Sequence, residues 1–268
     1  MTAGAVFVLF AIWGLSRFVR EIAGNPANPS VVELGLEDAE EDPRASFAVD
    51  PSFQNWNYEK DTEKTVYLTF DDGPSENTLK ILDILDRYGV KATFFVTAQL
   101  PACESYIAEA YRRGHTIGLH TYSHNYGIYA SEENYFEDLE KIGMIVERQI
   151  GYVPCFIRFP GGTSNEASKE YCEGIMSVLS EKVLERGYQY YDWNVTTGDG
   201  AGSITAEEAA ANALATDETA VMLLAHDGEK KETTVEALPA IIEEYQARGY
   251  VFKAIDRSSM VLHHPIYN

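Results

Sequence analysis

The chain has 268 residues, 45% hydrophobic and 24% charged, with 21 basic against 42 acidic side chains and a formal net charge of -21. That balance suits one large α/β domain with a sizeable core and excludes a disordered chain. The acidic excess argues against a nucleic-acid partner or attraction to anionic lipid and fits an uncharged or cationic polymer.

Ala3 to Leu15 form an apolar run with no basic residue ahead of it, too short to span a bilayer alone. Residues 1–24 are read as a signal or membrane-anchor segment, which leads to the expectation of an extracytoplasmic domain, anchored or secreted. Arg17 and Arg20 follow the run, and the positive-inside tendency opposes that orientation. Residues 25–63 read as a linker, with Pro26, Pro29, Pro43 and Pro51 and an acidic cluster from Glu33 to Asp42. Phe53, Trp56 and Tyr58 within it are expected to pack back onto a folded domain of residues 64–268.

From Lys64 the chain alternates strand-like and helix-like runs. Strands are predicted at Thr65 to Phe70, Ala92 to Thr97, Thr116 to Leu119, Phe156 to Phe159, Tyr188 to Trp193, Ala220 to Leu224 and Tyr250 to Ala254. Helical patterns cover Asn77 to Tyr88, Ser105 to Arg113, Glu132 to Gln149, Ser168 to Arg186, Ala206 to Thr216 and Thr234 to Arg248. Gly89, Gly114, Gly151, Gly187 and Gly249 each follow a helical run, and Thr205 with Glu208 forms a capping box. Repeated strand-helix units imply parallel strands with right-handed crossovers, closed into a barrel or left as an open sheet. In both, function gathers at the carboxyl ends of the strands.

The residues at those ends bear this out in kind. Asp71 and Asp72 close the first strand, and Gly73-Pro74 then turns the chain. Neighbouring side chains at a strand end can point apart, so one carboxylate can hold a metal while the other takes a proton. After the third strand, His120 and His124 lie four apart, and with a carboxylate they make a set that leaves a coordination position open. Arg158-Phe-Pro-Gly-Gly162 follows the fourth strand; the arginine could orient a carboxylate, and a glycine N–H could donate to an oxyanion. The run from Tyr191 to Asp199 brings an aromatic wall and two carboxylates, and His226 ends the sixth strand, where it could act as a general acid. Cys103, Cys155 and Cys172 are too few for a disulfide framework; Cys155 and Cys172 could bridge in an oxidising compartment, but three buried thiols are expected.

The ordered set TFDDGP, HTYSH, RFPGG, YDWNVTTGD and LLAH resembles the polysaccharide deacetylase family, also called the NodB-homology or carbohydrate esterase 4 domain, over about Lys64 to Asp256. The resemblance implies a distorted (β/α) barrel, with about seven parallel strands on the count above. It also implies a divalent metal, zinc first with Co2+, Mn2+ or Ni2+ as alternatives, and hydrolysis of acetyl groups on a glycan. Carried over by position, Asp71 is the base, Asp72, His120 and His124 the metal ligands, and Arg158 the residue orienting Asp71. His226 is the acid and Asp199 its tuning carboxylate. Pro160 and Gly161 line the substrate, with the N–H near Gly161 as oxyanion donor, and Trp193 and Leu224 form the acetyl pocket. Base and acid, far apart in sequence, are expected on opposite sides of the substrate. Two departures from the family stand out: Gly161 replaces an aromatic residue common after the proline, and Gly200, not tryptophan, follows Asp199. The expected substrate is an N-acetylglucosamine polymer, peptidoglycan before chitin oligomers, xylan or exopolysaccharide, and the expected state is a monomer. A glycan-binding module without turnover and a metal-dependent phosphoesterase are the competing readings.

Overall fold

The computed structural model describes residues 42–268, so the apolar segment 1–24 and most of the acidic stretch lie outside the described residues. No described helix is long and apolar enough to cross a membrane.

The strands are β1 (Thr65–Asp71), β2 (Thr93–Val96), β3 (Thr116–Leu119), β4 (Phe156–Ile157), β5 (Gln189–Tyr190), β6 (Val195–Thr196), β7 (Ala220–His226) and β8 (Val251–Lys253). All pair in parallel, in the order β5-β4-β3-β2-β1-β7-β6, with β8 beside the first half of β1. The two outer strands are consecutive in the chain. Five residue steps from Tyr190 to Val195 span at most about 18 Å, whereas the edges of a flat sheet of seven strands would stand about 29 Å apart. The sheet must curl, and it makes a (β/α) barrel. The barrel is distorted because no ladder among the described residues joins β5 to β6.

Strand alternation sorts the side chains onto two faces. Val66, Leu68 and Phe70 of β1 pack outward into the layer shared with the helices, as do Val221, Leu223 and Ala225 of β7. Tyr67 and Met222 pack into the barrel interior with Phe95, Phe156 and Tyr191. By the same period Thr69 and Asp71, and likewise Leu224 and His226, face inward. The outer layer comprises α1 (Glu76–Tyr88), α2 (Ser105–Arg112), α3 (Glu132–Ile150), α4 (Ile175–Glu185), α5 (Ala206–Leu214) and α6 (Glu232–Ala247). The expected Thr205–Glu208 capping box opens α5, and left-handed glycines at 89 and 151 end α1 and α3.

Differences from the expected elements have local causes. The helix expected from Ser168 begins only at Ile175, because Gly174 takes φ +81° and the Asn268 side chain and carbonyl accept from Gly174 N (2.7 Å) and Ser177 N (2.9 Å). The strand expected over Tyr188 to Trp193 is cut back to β5, where Asp192 leaves the ladder to hold other chain segments, and β6 is an unexpected strand beyond that run. Within residues 42–63, read as linker, Trp56 and Tyr58 pack back onto the domain as expected, Trp56 edge-on against Phe156 and Tyr58 against His263, and Phe47 joins them against Phe156. Arg257 stacks on Phe53 and donates to Ser46 and Ala48 carbonyls, fixing this segment across the amino ends of the strands. Cys103, Cys155 and Cys172 are free thiols, the first two buried and the third half-buried.

Candidate active site

Asp71 is the last residue of β1 and its side chain follows the strand's inward face. Asp72 lies past the strand with φ +74°, which turns its carboxylate elsewhere. The two carboxylates thus leave the backbone in different directions, yet both reach His120 Nε2, at 3.8 Å for Asp71 and 3.6 Å for Asp72. Thr121 (φ +68°) and His124 (φ +51°) are likewise left-handed, so three of the four such non-glycine residues among those described cluster here. Backbone strain concentrated in this way is typical of functional sites.

Asp72, His120 and His124 come together with one ligand atom each, all within 4.8 Å of one another. His120 Nδ1 lies 2.8 Å from the Arg158 carbonyl, which can only accept, so Nδ1 carries the proton. Burial first, and then His124, lowers the His120 pKa to about 3. The ring is neutral, and its bare Nε2 faces Asp72 Oδ1 at 3.6 Å. Asp72 Oδ1 is buried without a hydrogen-bond partner, and His124 Nε2 stands 3.2 Å from it. Lone pairs converging with no proton between a neutral imidazole and a carboxylate suit a cation, so the donor set fits a divalent metal.

Arg158, wholly buried, donates from Nη1 to Asp71 Oδ1 (2.9 Å) and Thr69 Oγ1 (2.7 Å), from Nε to the Tyr191 carbonyl (2.8 Å), and from Nη2 to that of Asp192 (3.2 Å). Without these acceptors a buried guanidinium would cost several kcal/mol (~3–5). Asp71 Oδ2 remains free and faces His120 Nε2 at 3.8 Å. Burial raises the Asp71 pKa, with Arg158 the main opposing influence. Arg158 thus favours the ionised form, as the sequence led one to expect, while desolvation makes Asp71 more basic than an ordinary carboxylate, which suits a proton acceptor.

His226 is the register partner of Asp71 on the adjacent strand. Although far apart in sequence, the residues assigned as base and acid therefore stand on neighbouring strands. His226 Nδ1 donates to Asp199 Oδ1 (2.7 Å), while Asp199 Oδ2 accepts from the His226 backbone N–H (2.9 Å) and the Thr234 hydroxyl. Burial works against a charged ring, but the Asp199 hydrogen bond and charge, helped by Asp71 and Asp72, outweigh it and raise the His226 pKa. Burial also opposes ionisation of Asp199, and the His226 hydrogen bond prevails, lowering it to about 2. A Cβ at Gly200 would come 2.8 Å from His226 Cε1, so this position has no room for the tryptophan common in relatives of the motif.

Phe159-Pro160-Gly161-Gly162 forms a tight turn closed by Gly162 N to Phe159 O (2.8 Å), with Gly161 at φ +79° as a type II turn requires. The Pro160 carbonyl accepts from the buried Tyr129 hydroxyl (2.8 Å). In a trans peptide the Gly161 N–H then points the opposite way, out of the core, and it makes no hydrogen bond among the described residues. Trp193 packs against Gly162 and lies 5.7 Å over Arg158, and Leu224 faces inward two residues before His226. The site residues singled out from sequence thus gather at the carboxyl ends of β1, β3, β4, β5, β6 and β7 and the loops that follow them.

Others went unnoticed. Asp138 on α3 accepts from Tyr122 N (2.7 Å) and Ser123 N (2.9 Å) and so fixes the loop between the two imidazoles. An acid on the apolar face of a helix was its signal. Asp227 accepts from Gly73 N (3.0 Å) and Thr78 Oγ1 (2.5 Å), holding the turn after Asp72. Asp192, one of the two carboxylates noted in the run Tyr191 to Asp199 but given no role there, accepts from Thr163 N (2.9 Å) and His264 N (2.8 Å), tying the glycine turn to the chain's last segment. Tyr126 places its ring 6.4 Å from His124, and burial, then the charge of Asp72, raises its phenol pKa. It had no sequence signal.

Comparison with known proteins agrees with this geometry. The family model described as polysaccharide deacetylase matches residues 58–174. The catalytic domain of a peptidoglycan N-acetylglucosamine deacetylase from Eubacterium rectale is 43% identical, with 82% of this chain and 100% of that one covered and a TM-score of 0.77. The Xyl-CE4 domain of a multidomain xylanase from the hindgut metagenome of Trinervitermes trinervoides is 30% identical, with 72% and 88% covered and a TM-score of 0.60. A peptidoglycan-N-acetylglucosamine deacetylase of Bacillus cereus is 28% identical over 213 residues, 76% of this chain and 72% of that protein. The likeness in sequence and fold shows that this chain belongs to the polysaccharide deacetylase family and is a deacetylase hydrolase.

Proposed function

We propose that the protein removes N-acetyl groups from N-acetylglucosamine-containing glycan, peptidoglycan foremost, with a divalent ion held by Asp72, His120 and His124. One observation carries the reading: the unpartnered Asp72 Oδ1 meets two imidazoles, and an arginine-held carboxylate and an aspartate-held histidine flank them. Two imidazoles and one carboxylate favour zinc, and Co2+, Mn2+ or Ni2+ suit the same donors. Bound there, the ion supplies Lewis acidity toward the acyl oxygen and acidifies water.

The chain's own groups manage the protons. Asp71 Oδ2, left free by the Arg158 contact to Oδ1, accepts the proton of the attacking water. The Gly161 N–H donates to the acyl oxygen as charge develops on it. His226, with Nδ1–H committed to Asp199, gives the proton on Nε2 to the nitrogen as the C–N bond breaks. The products are acetate and a free amine. Trp193 and Leu224 wall the acetyl methyl. A phosphoesterase is disfavoured because Arg158, the cation the sequence offered for clamping phosphate, is buried and committed to Asp71.

Acetate release from cell-wall muropeptides, chitin oligomers and acetylated xylan, before and after chelation, tests the reading. Release fastest from muropeptides and abolished by chelation is expected; full activity after exhaustive chelation overturns metal dependence. No acetate from any glycan would leave a binding module. Elemental analysis of Asp72→Ala and His120→Ala should show the metal lost.

The apolar residues Ala3 to Leu15 and a cell-wall substrate support a domain outside the cytoplasm. Protease applied to intact cells should degrade it, and a domain protected until lysis would sink that assignment.

A further inference from the structure

Where relatives commonly carry an aromatic side chain after the motif's proline, this chain has Gly161, and another residue occupies the vacated volume. A Cβ built on Gly161 would overlap the Tyr126 hydroxyl and come within 3.4 Å of Tyr126 Cζ. The phenol oxygen therefore stands directly over the glycine whose N–H points to the open face. The ring is fixed: it packs edge-on against Tyr129 at 5.6 Å and His124 at 6.4 Å. Its backbone is set by the Asn125 side chain, which accepts from Gly127 N at 2.8 Å. The hydroxyl, in contrast, has no hydrogen-bond partner among the described residues, and it is not sealed in the core, since the residue is only half-buried. A ring packed between Tyr129 and His124, with a free O–H over a glycine whose N–H is also free, is a preorganised donor.

We propose that Tyr126 is a further catalytic residue, donating its O–H to the acyl oxygen beside the Gly161 N–H as the carbonyl becomes tetrahedral. The inference rests on the deacetylase reading of the site. The phenol remains protonated throughout and only donates a hydrogen bond, so the proton balance through Asp71 and His226 is unchanged. Gly161 then has two reasons to lack a side chain: its left-handed φ of +79° and the phenol above it.

Tyr126→Phe removes the O–H and keeps the ring. On a chito-oligosaccharide it should lower kcat by about 100-fold with KM little changed and metal content equal to the parent's. A kcat within about twofold of the parent, or a loss wholly in KM as for a ground-state sugar contact, would overturn the proposal. Gly161→Ala displaces the phenol and also strains the turn, and the strain is common to both backgrounds. Its cost should therefore be smaller in Tyr126→Phe than in the parent; equal costs would speak against coupling between the two positions. A second measurement does not need turnover. A methylphosphonamidate of glucosamine, which presents tetrahedral oxygens, should bind the metal-loaded Tyr126→Phe protein at least about tenfold more weakly than the parent in calorimetry. Equal affinity counts against Tyr126 even if no glycan is turned over, while a parent that binds the phosphonamidate but releases no acetate refutes the deacetylase reading alone.

Discussion

Asp71→Asn is expected to keep its metal and lose about 10³-fold in kcat/KM, the scale of a general base. Asparagine preserves the shape and still offers Oδ1 to Arg158 Nη1, now 2.9 Å from the aspartate oxygen, so the guanidinium keeps an acceptor. What it cannot do is take a proton. The metal prediction follows from distance and partners. Asp71 Oδ2 is 3.8 Å from His120 Nε2 and Oδ1 is engaged by arginine, whereas Asp72 Oδ1 has no other partner and lies between both imidazoles. Elemental analysis beside steady-state kinetics checks the division of roles. Metal loss in Asp71→Asn matching that in Asp72→Ala would reverse it.

Asp199→Asn should move the alkaline limb of the rate profile to lower pH and reduce the rate at neutrality by about 10- to 100-fold. The working form of His226 is protonated, so activity is present below its pKa and is lost as pH rises through it. Asp199 raises that pKa above the ordinary imidazole value, and asparagine removes the charge responsible. Stability responds with its own sign. Asp199 is held near a pKa of about 2 in the folded protein. Its contribution, of order 2 kcal/mol, is complete above the ordinary aspartate value and disappears as pH falls toward 2. Parent and variant should therefore differ in denaturation midpoint at neutral pH and converge in acid. An unmoved alkaline limb in the variant would remove Asp199 from the proton-donor side of the reaction.

The two variants probe opposite halves of one ladder pair. Because Asp71 and His226 are register partners on neighbouring strands, each contributes to the other's field. Changes at one should shift the pH dependence left by the other, and the double variant need not be additive.

Local chemistry carried much of this protein in its sequence. Strand runs, helix-stopping glycines and the Thr205–Glu208 cap depend on residues within one turn of each other, so the alternating plan was readable, as were the motifs at strand ends. Parallel strands direct their carboxyl ends to one side, which is why Asp72, His120, His124, Arg158 and His226, scattered in sequence, could be assigned to one site. Other features needed the third dimension. Closure of the sheet depends on how far a few residues reach between β5 and β6, and the side-by-side base and acid depend on which strands neighbour each other. Tyr126 over Gly161, Asp138 under the histidine loop and Asp227 against Gly73 are contacts across 15 residues or more, whose partners no short stretch of sequence identifies. The raised Asp71 and neutral His120 belong to the same class, because desolvation is a property of the packed interior and not of any short stretch of chain.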